Sequence, residues 1–128
     1  NSLRLAVAQS VDKKIALFDE SGNKKEVFST KAFKSKNYLI KDITFSPCSS
    51  KLAIAQSDNI VTIYNLGLKW GEKKTICNKF EQETMVNCIF WHSLKLNEIY
   101  IGLLSGKVVC GLLTKNSSSV LYSTESLV

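Results

Sequence analysis

Few side chains in this chain of 128 residues could do chemistry. His92 is the single histidine. General-base catalysis needs a hydrogen-bonded partner in a defined geometry. His92 follows Trp91 at the end of an apolar run, which reads as a structural or exposed side chain. The four cysteines, Cys48, Cys77, Cys88 and Cys110, contain no Cys-x-x-Cys pair. With one histidine, that spacing matches no common zinc set. Cys88 and Cys110 lie inside apolar patterns and are expected to be buried thiols that pack as small hydrophobes. Asp12 and Asp58 sit in turns, where carboxylates normally accept backbone N–H groups. The related third turn reads Ser105-Gly106, so no repeated ring of acids forms to bind metal. Gly106-Lys107 runs into Val108, which is not a phosphate-binding loop. The reading is therefore of a chain with no catalytic residues, no cofactor site and no metal site, and not of an enzyme.

What remains is the chemistry of contact. Trp70 stands in the loop Leu68-Lys69-Trp70-Gly71-Glu72-Lys73-Lys74, between apolar runs. A loop Trp either anchors a protein interface or folds back onto its own sheet. The candidate partner-binding residues are Trp70, Lys69, Lys73 and Lys74, together with Lys34 and Lys36. The latter two belong to a polar connector that also carries Lys31 and has no acid from 31 to 37. Such a connector is either a solvated loop or a docking site for anionic groups. The net charge of +6 allows both readings, since a basic balance can favour acidic partners or simply solubility. Nucleic-acid binding has the charge but not the interleaved aromatic platforms, and is not expected. No small-molecule substrate is expected either. No apolar run approaches the roughly 18 residues of a membrane-spanning helix.

The elements that must position these residues are strands. Leu52 to Leu66 holds two apolar runs around Ser57-Asp58-Asn59, a β-hairpin pattern. LAVAQS at Leu5 to Ser10, followed by Ile15 to Asp19, repeats it. So does Glu98 to Gly111. Leu5, Leu52 and Ile99 open the copies at equal spacings of 47 residues. Val86 and Ile89 lie 46 residues after Ile40 and Ile43, so the strand before the hairpin repeats too. Self-similarity of this period in a β-rich pattern points to a propeller. No window of 10–12 residues carries helical periodicity with capping signals, so no helix is expected. The Leu5 to Gln9 run lacks clean alternation, as in a strand buried on both faces. Leu52, Ala53, Ile54, Ala55, Ile63 and Phe45 should be core, with Ile89, Ile101 and Val109 beside them.

The segments ITFSP, SSKLAIAQSDN and IVTIYN resemble a WD repeat with degenerate closing dipeptides, Phe18-Asp19, Tyr64-Asn65 and Gly111-Leu112. Asp58 to Phe80, DNIVTIYNLGLKWGEKKTICNKF, is similar to the amino-terminal propeller of the intraflagellar transport protein 172 family. So are Val27-Phe28-Ser29-Thr30-Lys31, Ile40 to Pro47, and the end KNSSSVLYSTESLV. The most specific part is the Trp70 loop leading into Ile76-Cys77-Asn78-Lys79-Phe80. The resemblance implies a non-enzymatic scaffold and protein-interaction module of the intraflagellar transport B complex, supporting ciliary transport and cilium assembly. Its partners would be other intraflagellar transport subunits and the remainder of its own chain. It would work in the cilium and at the ciliary base, on the cytoplasmic side, and cysteine usage suits a reducing compartment. The alternative is a membrane-surface or coat-like propeller that binds anionic headgroups through loop lysines.

The expected fold class is all-β: an incomplete WD40-type β-propeller of about three blades, each a four-stranded antiparallel sheet. Residues 1–37 form an incomplete first blade, 38–84 the second and 85–124 the third, and 125–128 open the next. Three blades do not close a ring, so the chain is expected to be part of a longer one. By the same reasoning the 128 residues alone should expose apolar faces and should not be monodisperse.

Overall fold

The structure, a computed structural model, describes residues 4–123. Eleven strands run β1 (Leu5–Gln9), β2 (Lys14–Phe18), β3 (Lys24–Ser29), β4 (Ile40–Phe45), β5 (Lys51–Gln56), β6 (Ile60–Asn65), β7 (Thr75–Glu81), β8 (Val86–Trp91), β9 (Glu98–Leu103), β10 (Lys107–Leu112) and β11 (Ser117–Ser123). No helix occurs among the described residues. The strands form three antiparallel sheets in chain order: β1-β2-β3, β4-β5-β6-β7 and β8-β9-β10-β11. The first sheet has three strands, the others four. The segment 125–128, expected to open another blade, lies outside the described residues.

The turns follow local chemistry. The β5–β6 turn places Asn59 at a φ of 69°, a conformation that asparagine tolerates better than most residues. In the β2–β3 turn, the Asp19 carboxylate accepts the N–H groups of Ser21 and Asn23, each at 2.9 Å. The β1–β2 turn spans residues 10–13, because Lys14 already pairs with Gln9.

Period-two alternation divides the middle sheet between two cores. Leu52, Ile54 and Tyr64 pack with Ile15 and Leu17 of the first sheet and with Tyr38, Ile40 and Leu66. Ala53, Ala55, Val61 and Ile63 face Ile89, Trp91, Ile99, Ile101 and Val109 of the third sheet, with Phe80 alongside. Alanines fit this second interface because the third sheet supplies the bulk. Gly111 is small for the same reason: a Cβ there would meet Phe80 and Ile99 at 3.1 Å. The sheets are also stitched by polar contacts. Asp42 in β4 accepts the Ile89 N–H of β8 at 3.0 Å.

The expected core residues are buried, except Phe45, which is half-buried against the first cluster. Two further expectations are corrected. Leu5 and Val7 are 48% and 51% exposed, because only the Ala6/Ala8 face of β1 packs against the second sheet. Cys110 is buried but Cys88 is exposed. Cys88 shares the outer face of the third sheet with its partner Gly102, away from the Ile89 core.

Candidate interaction surface

Sheet register sorts the loops onto two ends. Ile40, Gln56, Ile60 and Glu81 stand at one end of the middle sheet, and Phe45, Leu52, Asn65 and Thr75 at the other. The 66–74 loop therefore lies at the second end, and the 30–39 connector at the first. Lys69, Trp70, Lys73 and Lys74 share one loop, while Lys34 and Lys36 are at the opposite end. One flat surface can meet only one of the two sets.

The 66–74 loop is built around two glycines and a glutamate. Gly67 and Gly71 have φ of 80° and 84°, where a side chain would be strained. At Gly67 a Cβ would also lie 2.6 Å from Glu72 Oε2. Glu72 accepts the Lys69 N–H at 2.6 Å. That bond, with a second from the Leu68 N–H, holds its carboxyl below the usual glutamate range. Lys74 Nζ donates to the Glu72 carbonyl at 2.6 Å.

The same loop grips the first sheet. Lys74 Nζ lies 2.7 Å from Glu26 Oε1 of β3, and both side chains are largely buried. Gly71 N–H donates to Glu26 Oε2 at 3.4 Å. Trp70 is half-buried against the first core cluster, with the Arg4 guanidinium 4.9 Å over its ring. Of the two roles open to Trp70, folding back is the one the structure shows. Lys69 and Lys73 are exposed on the outside of the loop.

At the opposite end, Lys34 pairs with Glu81 at 2.6 Å on the surface, while Lys36 is exposed. The Lys34 N–H donates to Asp58 Oδ2 at 3.4 Å, and Gln56 Nε2 donates to Asp58 Oδ1 at 3.2 Å. Asp58 is thus buried and ties the 30–39 connector down; its carboxylate is not a cap for its own turn. Phe33 carries two ammonium groups near its ring, Lys31 at 5.8 Å and Lys79 at 4.8 Å. The Tyr64 hydroxyl accepts the Lys31 N–H at 3.1 Å, and burial pushes its pKa up to about 12.

His92 Nδ1 accepts the Leu94 N–H at 3.0 Å, within the β8–β9 turn. Among the described residues, no three His, Cys, Asp or Glu side chains gather to hold a metal ion. Sequence reasoning missed Glu26, Arg4 and Asp42 as the residues that join sheets. Glu26 carries no local signal, since its partner Lys74 is on another sheet. Asp42 does carry one: an acid inside the apolar strand Ile40–Phe45.

No protein-family model matches the chain. It is 42% identical over its whole length to the intraflagellar transport protein 172 homolog of Homo sapiens. Over 96% of the chain it is 48% identical to intraflagellar transport protein 172 of Chlamydomonas reinhardtii. It is 42% identical over its whole length to intraflagellar transport protein osm-1 of Caenorhabditis elegans. The chain spans about 7% of the length of each of these relatives. In fold it is similar to the β-propeller domain of Cps50 (Swd1) from Myceliophteria thermophila. That match has a TM-score of 0.71 at 14% identity and covers 92% of this chain and 35% of the other. The three successive sheets are therefore propeller blades.

Proposed function

This chain belongs to the intraflagellar transport protein 172 family, and from that premise we propose that it is a non-enzymatic scaffold and interaction module of the intraflagellar transport B complex. The observation that carries the reading is the 42–48% identity spread over 96–100% of the chain. The module supports transport along the cilium and cilium assembly, on the cytoplasmic side, in a reducing compartment. Its blades follow the repeat read from the sequence, with bounds at 1–37, 38–84 and 85–124. Its partners are other transport subunits and the rest of its own chain. They meet the exposed lysines, Lys69 and Lys73 at one end and Lys36 at the other. Lys34 is exposed like Lys36 and belongs with it, while Trp70 and Lys74 hold the 66–74 loop in place from behind.

The test is live imaging of the fluorescently tagged full-length protein in the ciliated cell that makes it, combined with deletion of its gene. The proposal expects particles that move in both directions along the cilium, and short or missing cilia after deletion. A protein that stays in the cell body, in cells whose cilia are normal without it, contradicts the proposal. A charge-reversal pair, Lys69→Glu with Lys73→Glu, should reduce co-purification of transport subunits while the protein stays folded.

A further inference from the structure

Beside the Trp70 loop, a cleft of about 310 Å³ is lined by Arg4, Cys48, Ser50 and Lys69 among others. Arg4 is only 6% exposed. Its Nη1 donates to the Ser49 carbonyl at 3.3 Å, and its guanidinium stacks on Trp70. Among the described residues no carboxylate lies within ion-pair distance of it. The nearby acids are otherwise engaged: Glu26 holds Lys74, and Glu72 caps its own loop. Buried cations are normally paired. A buried guanidinium facing a cleft, with no counter-ion among the described residues, marks a place for an anion, and exposed Lys69 adds a second positive charge at the rim.

Cys48 stands on the wall of the same cleft, exposed in the β4–β5 turn. Its Sγ lies 2.9 Å from Ser50 Oγ and 3.7 Å from Ser46 Oγ. Hydrogen bonds from the Ser50 hydroxyl and backbone N–H hold this thiol below its ordinary value, against the opposing effect of burial. The other cysteines sit differently. Burial and then the Glu98 charge push the Cys110 thiol up, Cys77 donates to the Ile63 carbonyl at 3.4 Å, and Cys88 lies on the outer face of the third sheet.

We propose that Cys48 is a modification site for an anionic low-molecular-weight disulfide of the glutathione type, whose carboxylates are met by Arg4 and Lys69. The Cys48 thiolate attacks one sulfur of the disulfide. A protein–small-molecule disulfide forms, the original S–S bond breaks, and its second half leaves as a thiolate, so atoms and electrons balance without another oxidant. A thiol reductant reverses the step. The mixed disulfide would place new negative charge on the same end of the molecule as Lys69 and Lys73.

The experiment exposes the full-length protein to glutathione disulfide and, in parallel, to cystamine, a cationic disulfide of similar reactivity. Alkylation and tryptic mass spectrometry then give a rate at each of the four cysteines. The proposal expects Cys48 to react fastest of the four. Glutathione disulfide should outpace cystamine there by roughly tenfold, the low end of electrostatic steering. Arg4→Gln and Lys69→Gln should each pull that ratio towards one. Lys69 is exposed, so its variant carries the test even where Arg4→Gln fails to fold. Faster reaction at Cys77 or Cys88, equal rates for the two disulfides, or a ratio that Lys69→Gln leaves unchanged would overturn the proposal.

Discussion

The hairpins β1–β2 and β5–β6 carry nearly the same residues and meet different fates. Leu5-Ala6-Val7-Ala8-Gln9 and Leu52-Ala53-Ile54-Ala55-Gln56 pair with their next strands in the same way, Leu5 with Phe18 and Leu52 with Tyr64. In both, the alanines face the following sheet. The large residues face the other way. Leu52 and Ile54 are 0% exposed because the first sheet lies on them, while Leu5 and Val7 are 48% and 51% exposed. Burial is thus a property of the stack and not of the strand. A blade strand is written for two neighbours, and its sequence cannot say whether both are present.

The largest expected difference comes from forcing a charge into each hairpin. A carboxylate buried without a partner costs several kcal/mol. Ile54→Asp should destabilise the fold by several kcal/mol, whereas Val7→Asp should stay within about 1 kcal/mol of the parent. Urea denaturation followed by far-UV circular dichroism measures both. Next come the truncations. Leu52→Ala should cost about 2–5 kcal/mol, and Leu5→Ala about 0.5 kcal/mol or less. Equal costs at positions 5 and 52 would break the comparison.

A smaller effect concerns what clamps the first sheet to the second. The Lys74–Glu26 pair bridges the two sheets from largely buried positions, while Lys34–Glu81 is about half exposed on both sides. Lys74→Ala should cost about 1.5–3 kcal/mol, the range for a hydrogen bond to a charged group. Lys34→Ala should cost about 0–1 kcal/mol, as for surface pairs. Thermal unfolding at low and high salt separates them, since only the exposed pair should weaken markedly with salt.

The smallest effect is in the residues that close the two hairpins, Asp19 and Asn65. The backbone N–H of Asn23 holds the Asp19 carboxyl below its ordinary value of 3.8. A lowered value in the folded state means that its contribution is present above 3.8 and is lost as pH falls through the lowered value. Amides of the β2–β3 turn should therefore exchange faster in acid, and Asp19→Asn should remove that dependence. Asn65, whose amide oxygen accepts the Gly67 N–H at 3.3 Å, has no proton to gain there. Hydrogen exchange across the acid range, corrected for intrinsic rates, reads both turns together.

The repeat at 47 residues made the sheets legible, because alternation and turn chemistry are local. The middle-sheet core from Leu52 to Ala55 was legible for the same reason. The exposure of Leu5 and Val7 was not legible in the strand itself, which reads as buried on both faces; only the open ring, expected to expose apolar faces, pointed to it. Cys88 was misjudged because its apolar strand has one uncovered face. The 66–74 loop stood out in the sequence through Trp70 and its lysines. Its grip on the first sheet was hidden, because Glu26 precedes Lys74 by 48 residues and only packing brings them together.

The central claim, that stacking and not sequence decides burial in the repeated hairpin, is tested most directly by hydroxyl-radical footprinting of the folded 128-residue chain. Trypsin releases Leu5–Lys13 and Leu52–Lys69 as separate peptides, so oxidation at Leu5 and Val7 can be read beside that at Leu52 and Ile54. Strong labelling of Leu5 and Val7 and protection of Leu52 and Ile54 are expected, with the two residue pairs labelled alike after denaturation. Equal labelling of the two pairs in the folded chain would contradict the claim.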